Sequence, residues 1–132
     1  MIAGAQLDHH FVQEVLAEPG GAHLLTCMSC GTCAATCLVR RYEPAFNPRL
    51  LLRRVGLGLR APVLSSAEIW QCSACDICYP RCPQQIHISD VMKAIRAIAI
   101  REGYTPSGPF AEVDEHKCSG CAVCTRACPY GA

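Results

Sequence analysis

Three runs of cysteine with one shared spacing, C-x2-C-x2-C-x3-C, constrain the fold of this 132-residue chain more than any other feature. They contain all twelve cysteines and begin at nearly equal intervals, so they form an internal repeat. The first run is Cys27, Cys30, Cys33 and Cys37, the second is Cys72, Cys75, Cys78 and Cys82, and the third is Cys118, Cys121, Cys124 and Cys128. We therefore expect a fold that is organised around three sets of closely spaced thiols.

The spacing suits an iron–sulfur cluster. On a tightly curled chain, cysteines separated by two residues place three thiolates around a cubane, and backbone N–H groups of the curl point at its sulfurs. The fourth cysteine lies on the next turn and points away from the first three, and in two-cluster ferredoxins it ligates the other cluster. Small residues between the ligands let the chain wrap closely: Ser29, Gly31, Ser73, Ala74, Ser119, Gly120 and Ala122. We predict that all twelve cysteines are cluster ligands.

Three other uses of the cysteines remain open. Structural zinc also takes four cysteines, although its knuckles usually come as two separated C-x2-C pairs. Disulfides are typical of short secreted chains, but residues 1–10 carry no basic and apolar signal peptide. A C-x2-C redox pair is typical of a βαβ context, which the sequence does not indicate. The spacing favours clusters in a reducing compartment, and we expect a cytoplasmic protein.

Composition narrows the function classes. The net charge of +1 does not favour binding to nucleic acid, and no apolar run is long enough for a membrane span. Every cysteine belongs to a cluster motif, and neither a Gly-rich dinucleotide loop nor a paired-carboxylate site is evident. We therefore expect no substrate chemistry on this chain, and any flavin would belong to a partner.

The first half of the chain carries two helix signals. Residues 8–18 predict a helix with Asp8 as its N-cap, and Asn47 followed by Pro48 predicts the start of another.

Two further helices are expected around the second motif. The Ser65-x-x-Glu68 pattern resembles a capping box. Ser89 or Asp90 is the expected cap of a longer helix that Gly103 ends. Its apolar positions recur with helical periodicity, at Ile88, Val91, Met92, Ile95, Ile98 and Ala99.

Residues 8–104 resemble the iron–sulfur C subunit of heterodisulfide reductase. The resemblance is carried by residues 27–37 (CMSCGTCAATC), 47–49 (NPR) and 68–83 (EIWQCSACDICYPRCP), followed by a helix with Arg96 and Gly103. It implies a mainly α-helical ferredoxin-like domain at residues 1–104 that holds two [4Fe–4S] clusters. It also implies a complex in which this polypeptide relays single electrons between a flavin-containing subunit and a disulfide-reducing subunit.

The resemblance further implies that the two motifs exchange their fourth ligands. Cluster 1 would be held by Cys27, Cys30, Cys33 and Cys82, and cluster 2 by Cys72, Cys75, Cys78 and Cys37. The chain departs from the pattern at Leu38, where a proline often follows the fourth cysteine.

Beyond a linker at 105–111, residues 112–132 are similar to half of a bacterial ferredoxin and predict a third cluster on Cys118, Cys121, Cys124 and Cys128. If Cys128 points to a different cluster, the sequence offers no fourth motif to receive it. Three solutions are open: Cys128 closes its own cluster, a second copy or a partner supplies the other half, or the module is truncated. We favour truncation, because a ferredoxin half normally continues into a strand.

The leading functional hypothesis is an electron-relay subunit. The alternatives are a free ferredoxin-type carrier and, in a different class, a structural or sensor protein that folds only when it is loaded.

Overall fold

The computed structural model describes residues 7–106 and 113–127, and every regular element in these ranges is helical. The α-helices are α1 (His9–Ala17), α2 (Thr32–Thr36), α3 (Leu38–Tyr42), α4 (Pro48–Gly56), α5 (Arg60–Leu64), α6 (Glu68–Gln71), α7 (Ile88–Arg101) and α8 (Val123–Ala127). Short 3-10 helices occupy Leu24–Thr26 and Tyr79–Arg81. The described part of the chain contains no strand, so the prediction of a mainly α fold is confirmed.

Helix α7 is the centre of the core. It packs against α1, α5 and α6, and α4 packs against α1 and α5. Its periodic apolar positions are all buried: Ile88, Val91, Met92, Ile95, Ile98 and Ala99. Burial of this face holds the loops of the first two motifs on one framework.

Two predicted helix starts are confirmed. The Asp8 carboxylate accepts hydrogen bonds from the backbone N–H groups of His10 (2.9 Å) and Phe11 (3.2 Å). The Asn47 side chain accepts one from Leu50 (3.3 Å), and Pro48 takes the first helical position. In both places the cap satisfies N–H groups that the first turn leaves without a partner.

The other two predicted caps are wrong. Ser65 does not cap α6; it is the C-cap of α5, and its hydroxyl donates to the carbonyl of Ala61 in the first turn of α5 (2.8 Å). Ser66 accepts from the N–H of Glu68 instead (3.1 Å).

At α7 the N-cap is His87, which makes no side-chain cap bond, and Ser89 and Asp90 both lie inside the helix. Ser89 is drawn away because its hydroxyl bonds Asp76 of the second motif (2.5 Å).

Ion pairs link α1 to the start of α5 and to the end of α7. Arg60 forms ion pairs with Asp8 (3.2 Å), Glu14 (2.9 Å) and Glu102. Beside it, Gly58 has φ +73°, and a Cβ there would lie 2.5 Å from the carbonyl oxygen of Asp8. Only glycine allows the two segments to approach this closely.

Residues 107–112, which include most of the predicted linker, lie outside the described residues, as do residues 128–132. The expected domain boundaries therefore stay predictions. No helix in the described ranges has the length and apolarity to span a bilayer.

Candidate cluster-binding sites

A cavity lies at the first motif. The 3-10 helix Leu24–Thr26 ends at Cys27, and α2 starts after Gly31, so the chain curls between them. Cys82 joins from the second motif, at the end of the 3-10 helix Tyr79–Arg81. The thiols that line this cavity are Cys27, Cys30, Cys33 and Cys82.

A second cavity lies at the second motif. Cys72 follows the end of α6, and Cys37 reaches this cavity from the junction between α2 and α3. The cysteines along its wall are Cys33, Cys37, Cys72, Cys75 and Cys78. Each cavity thus contains the four thiols that the resemblance implies for one cluster.

The backbone makes the same turn in all three motifs. The residues on either side of the second cysteine have φ between +50° and +88°, a region that L side chains rarely adopt. They are Ser29 and Gly31, Ala74 and Asp76, and Gly120 and Ala122. Alternation of right- and left-handed residues turns successive N–H groups inward and makes an anion-binding concavity. Such strain, of about 1–3 kcal/mol for each non-glycine residue, is typical of functional sites.

Burial raises the pKa of one inner thiol in each of the first two motifs. Burial, followed by the charge of Cys27, raises the pKa of the Cys33 thiol to about 11. Burial, followed by the charge of Cys72, raises the pKa of Cys78 to about 12. These thiols are neutral near pH 7 without a metal, and because iron binds thiolates, loading must displace their protons.

Polar groups approach the sulfurs at the edge of the first cavity. The Thr32 hydroxyl lies 3.4 Å from Cys30 Sγ and lowers the pKa of that thiol. The backbone N–H of Ile86 donates to Cys82 Sγ (3.4 Å), just after Gln85, whose φ is +52°. Hydrogen bonds to ligand sulfurs stabilise their negative charge and tune a bound cluster.

The two cavities meet at Cys33 and Ile88, which line both. Cys33 is buried, whereas Cys30 in the first cavity and Cys75 in the second are exposed. Each cavity therefore has one thiol that faces solvent and shares a wall with the other cavity.

Three residues of the second site were not assigned to it from the sequence. Asp76 and Ser89 line the cavity and bond each other. Arg96 is buried in α7 and donates to the carbonyl of Cys72 (2.8 Å). The sequence signal for Arg96 is its charge on a largely apolar helix, next to the buried position of Ile95.

The third motif has the same curl in a different setting. Residues 113–127 are all exposed, including Cys118, Cys121 and Cys124. The N–H of Val123 and the hydroxyl of Ser119 lower the pKa of Cys121. Cys128 lies outside the described residues, so the fourth ligand stays a prediction.

The donor arrangement fits a cluster. In residues 7–106 and 113–127, no three His, Cys, Asp or Glu side chains converge closely enough to hold a single metal ion. Four thiols spread around a cavity match a cubane, in which each iron takes one thiolate. The described cysteines, which exclude Cys128, are all free thiols.

Two family models described as 4Fe-4S dicluster domains match the chain, one over residues 26–87 and the other over 71–132. The first region contains the first and second motifs, and the other contains the second and third.

Among curated proteins, the chain is similar to the iron-sulfur C subunit of the CoB–CoM heterodisulfide reductase of Methanopyrus kandleri, with 38% identity over 70% of this chain and 48% of that relative. It is 34% identical to the C2 subunit of the H(2)/formate:CoB-CoM heterodisulfide,ferredoxin reductase of Methanococcus maripaludis, over 78% and 59% of the two chains. A relative from Methanosarcina acetivorans, the C subunit of the ferredoxin/F(420)H(2)-dependent CoB-CoM heterodisulfide reductase, is 39% identical over 67% and 53%. The chain spans about half the length of the curated relatives it matches.

Proposed function

We propose that this chain, a homologue of the iron–sulfur C subunit of heterodisulfide reductases, is an electron-relay protein that holds [4Fe–4S] clusters and passes single electrons along them. The observation that carries the proposal is the pair of cysteine-lined cavities that share Cys33. A relay needs redox groups that are close to one another, and each also needs an edge that a partner can reach. The shared wall supplies the first requirement, and the exposed Cys30 and Cys75 supply the second.

The proposed ligand sets follow the lining of the cavities. Cys82 completes the first site with three cysteines of the first motif, and Cys37 completes the second site with three cysteines of the second motif. When bound, a [4Fe–4S] cluster gains or loses one electron at a time. The chain's own contribution is to supply thiolates, direct N–H groups at the sulfurs and keep water from the inner edge, where Phe46 and Ile88 are buried.

The proposed partners are a flavin-containing subunit and a disulfide-reducing subunit, in a cytoplasmic complex. Support for a disulfide-reducing complex comes from the names of the relatives, each of which is the C or C2 subunit of a heterodisulfide reductase. The flavin-containing subunit is implied by the family resemblance alone. The final disulfide or related substrate would then be reduced on a partner.

We also propose a third cluster on Cys118, Cys121 and Cys124, in a module at residues 112–132. Its support is the repeated backbone curl, with Gly120 and Ala122 at positive φ as in the other two motifs. The fourth ligand is Cys128, a group from another polypeptide, or a residue of a longer form of the module.

Metal analysis and spectroscopy of the anaerobically purified protein test the proposal. We expect about eight irons and eight sulfides per chain for two clusters, or about twelve with the third, and the EPR signal of reduced [4Fe–4S]. Stoichiometric zinc without sulfide would contradict the relay and support a structural protein.

Purification under native conditions tests the assembly. A tagged chain expressed in its own cells should bring down a flavin-containing subunit in fixed stoichiometry. A loaded monomer that exchanges electrons without such subunits would instead be a free carrier.

A further inference from the structure

Arg96 is a charged residue at the centre of the core. It lies on α7, next to Ile95, and its side chain is only 3% exposed. Arginine keeps its positive charge in such surroundings because its pKa is so high. Burial of a guanidinium is unfavourable unless its donors are satisfied.

The guanidinium donates to the backbone at the entrance of the second motif. Arg96 Nε lies 2.6 Å from the carbonyl oxygen of Ile69, and Nη2 lies 2.8 Å from that of Cys72. Ile69 is in the last turn of α6 and Cys72 directly follows that helix, so both carbonyls belong to a helix end that lacks partners of its own. One side chain thus fixes where α6 ends and where the first thiol of the second motif begins.

The same charge acts on the thiol. Burial raises the pKa of Cys72, and the N–H of Ala74 and the charge of Arg96 both oppose that increase. The nearby Asp76 carboxylate also lines the second cavity, with its charge partly satisfied by the Ser89 hydroxyl. At the first cavity, Arg49 is the lining cation; it is partly exposed, so solvent screens it more than Arg96.

We propose that Arg96 is a positioning residue of the second site, which holds Cys72 in place and raises the reduction potential of the cluster bound there. Reduction adds one electron to the cluster and makes it more negative. A buried positive charge next to a ligand therefore favours the reduced form. This inference rests on the proposed function, since it requires a cluster in the second cavity.

The test is an EPR-monitored redox titration of the full, cluster-loaded chain and two Arg96 variants, with one control variant and one variant that assigns the signals. Arg96→Gln removes the positive charge and keeps a hydrogen-bond donor. Arg96→Lys keeps the positive charge but loses the planar guanidinium that reaches both carbonyls. Arg101→Gln is the matched control, because it removes a charge from the exposed end of the same helix. A Cys75→Ser variant identifies the signal of the second cluster.

We expect Arg96→Gln to shift the midpoint of the second cluster to a more negative potential while that of the first stays unchanged. Arg96→Lys should keep a midpoint near that of the parent, and Arg101→Gln should shift neither. A fully loaded Arg96→Gln chain with an unchanged second midpoint would overturn the proposal. An Arg96→Lys chain that binds its clusters normally but has a more negative midpoint potential for the second cluster would also overturn it. If Arg96→Gln does not bind its clusters, the Arg96→Lys result decides the question. Absence of [4Fe–4S] signals in the parent chain would instead refute the proposed function.

Discussion

Cys33 and Cys82 belong to different motifs and line the same cavity. The charge of Cys82 is one of those that, after burial and Cys27, raise the pKa of the Cys33 thiol. Cys37 makes the reciprocal crossing into the second cavity. Each of the two cavities is thus lined by a cysteine from the other motif.

Replacement of the crossing ligands should damage the site that each one enters. We expect Cys82→Ser to impair the cluster of the first cavity and leave that of the second, although Cys82 follows Cys78 in the chain. Cys37→Ser is the matched control, with the opposite outcome. Iron content and EPR of both variants check the prediction, and damage by Cys82→Ser confined to the second cavity would contradict the exchange.

In the metal-free chain, the alkylation rate of each cysteine should follow the pKa of its thiol. Cys30 and Cys121 have lowered pKa values, whereas that of Cys33 is about 11 and that of Cys78 about 12. At pH 8 a thiol with a pKa near 11 is roughly one-thousandth thiolate, so Cys33 and Cys78 should be alkylated by iodoacetamide far more slowly. The rate at Cys33 should keep rising as the pH increases toward 11.

Mass spectrometry of peptides from partly alkylated protein gives these rates. The same chain in concentrated denaturant is the control, because unfolding removes burial and should make the rates similar. Equal rates in the native metal-free chain would contradict the burial of these thiols.

Cluster retention should depend on which side chain occupies the left-handed backbone position of the second motif. Ala74 has φ +50° and lines the cavity. Ala74→Gly should keep or improve cluster retention, and Ala74→Val should reduce it, because β-branched residues strongly disfavour this conformation. Retention can be followed by the decay of cluster absorbance during exposure to a chelator. Ser73→Val is the control, since Ser73 is exposed and its φ is not positive; equal loss in both valine variants would refute this explanation.

The proposed third cluster, on the exposed motif, should be lost first. All described residues from 113 to 127 are exposed, whereas the first two motifs pack on the core. A chelator should therefore remove about four irons in an early phase and the rest later. In a Cys124→Ser chain the early phase should disappear. A single phase in the parent chain, at a stoichiometry of about twelve irons, would contradict the prediction.

Two glycines with similar φ should differ in their tolerance of alanine. Gly58 (φ +73°) faces Asp8 at 2.5 Å, whereas Gly103 (φ +82°) has nothing within 4 Å of an added Cβ. Gly103→Ala should lower the free energy of unfolding by about 1 kcal/mol, the strain alone, and Gly58→Ala by about 3 kcal/mol or more. Urea denaturation of the cluster-loaded chains gives both free energies of unfolding. Equal decreases in the two variants would mean that the backbone at Gly58 and Asp8 can move apart at little cost.

The elements that could be predicted from the sequence are those fixed by local chemistry. Asp8 and Asn47 cap helices because their side chains reach N–H groups two or three residues away. The periodicity of α7 depends only on its own residues. The same holds for the motifs, whose spacing sets the curl.

The unpredicted features depend on distant partners. Ser89 looks like a cap in sequence and is drawn to Asp76 in space. Arg96 is, in sequence, a charge on a largely apolar helix, and its role becomes evident only when the fold brings the carbonyls of Ile69 and Cys72 to it. Helix α5 contains Pro62 in its first turn and no strong signal of its own, and it is held in place through Arg60.

The exchange between motifs also bears on how the protein is made. During synthesis the first motif leaves the ribosome well before Cys82, so its cavity still lacks one wall when its own cysteines are already accessible. The order is reversed at the second cavity, because Cys37 has already been synthesised when Cys72 leaves the ribosome. Under the proposed exchange of ligands, machinery that delivers iron and sulfide would have to act on a chain synthesised beyond Cys82, or protect an incomplete site until then.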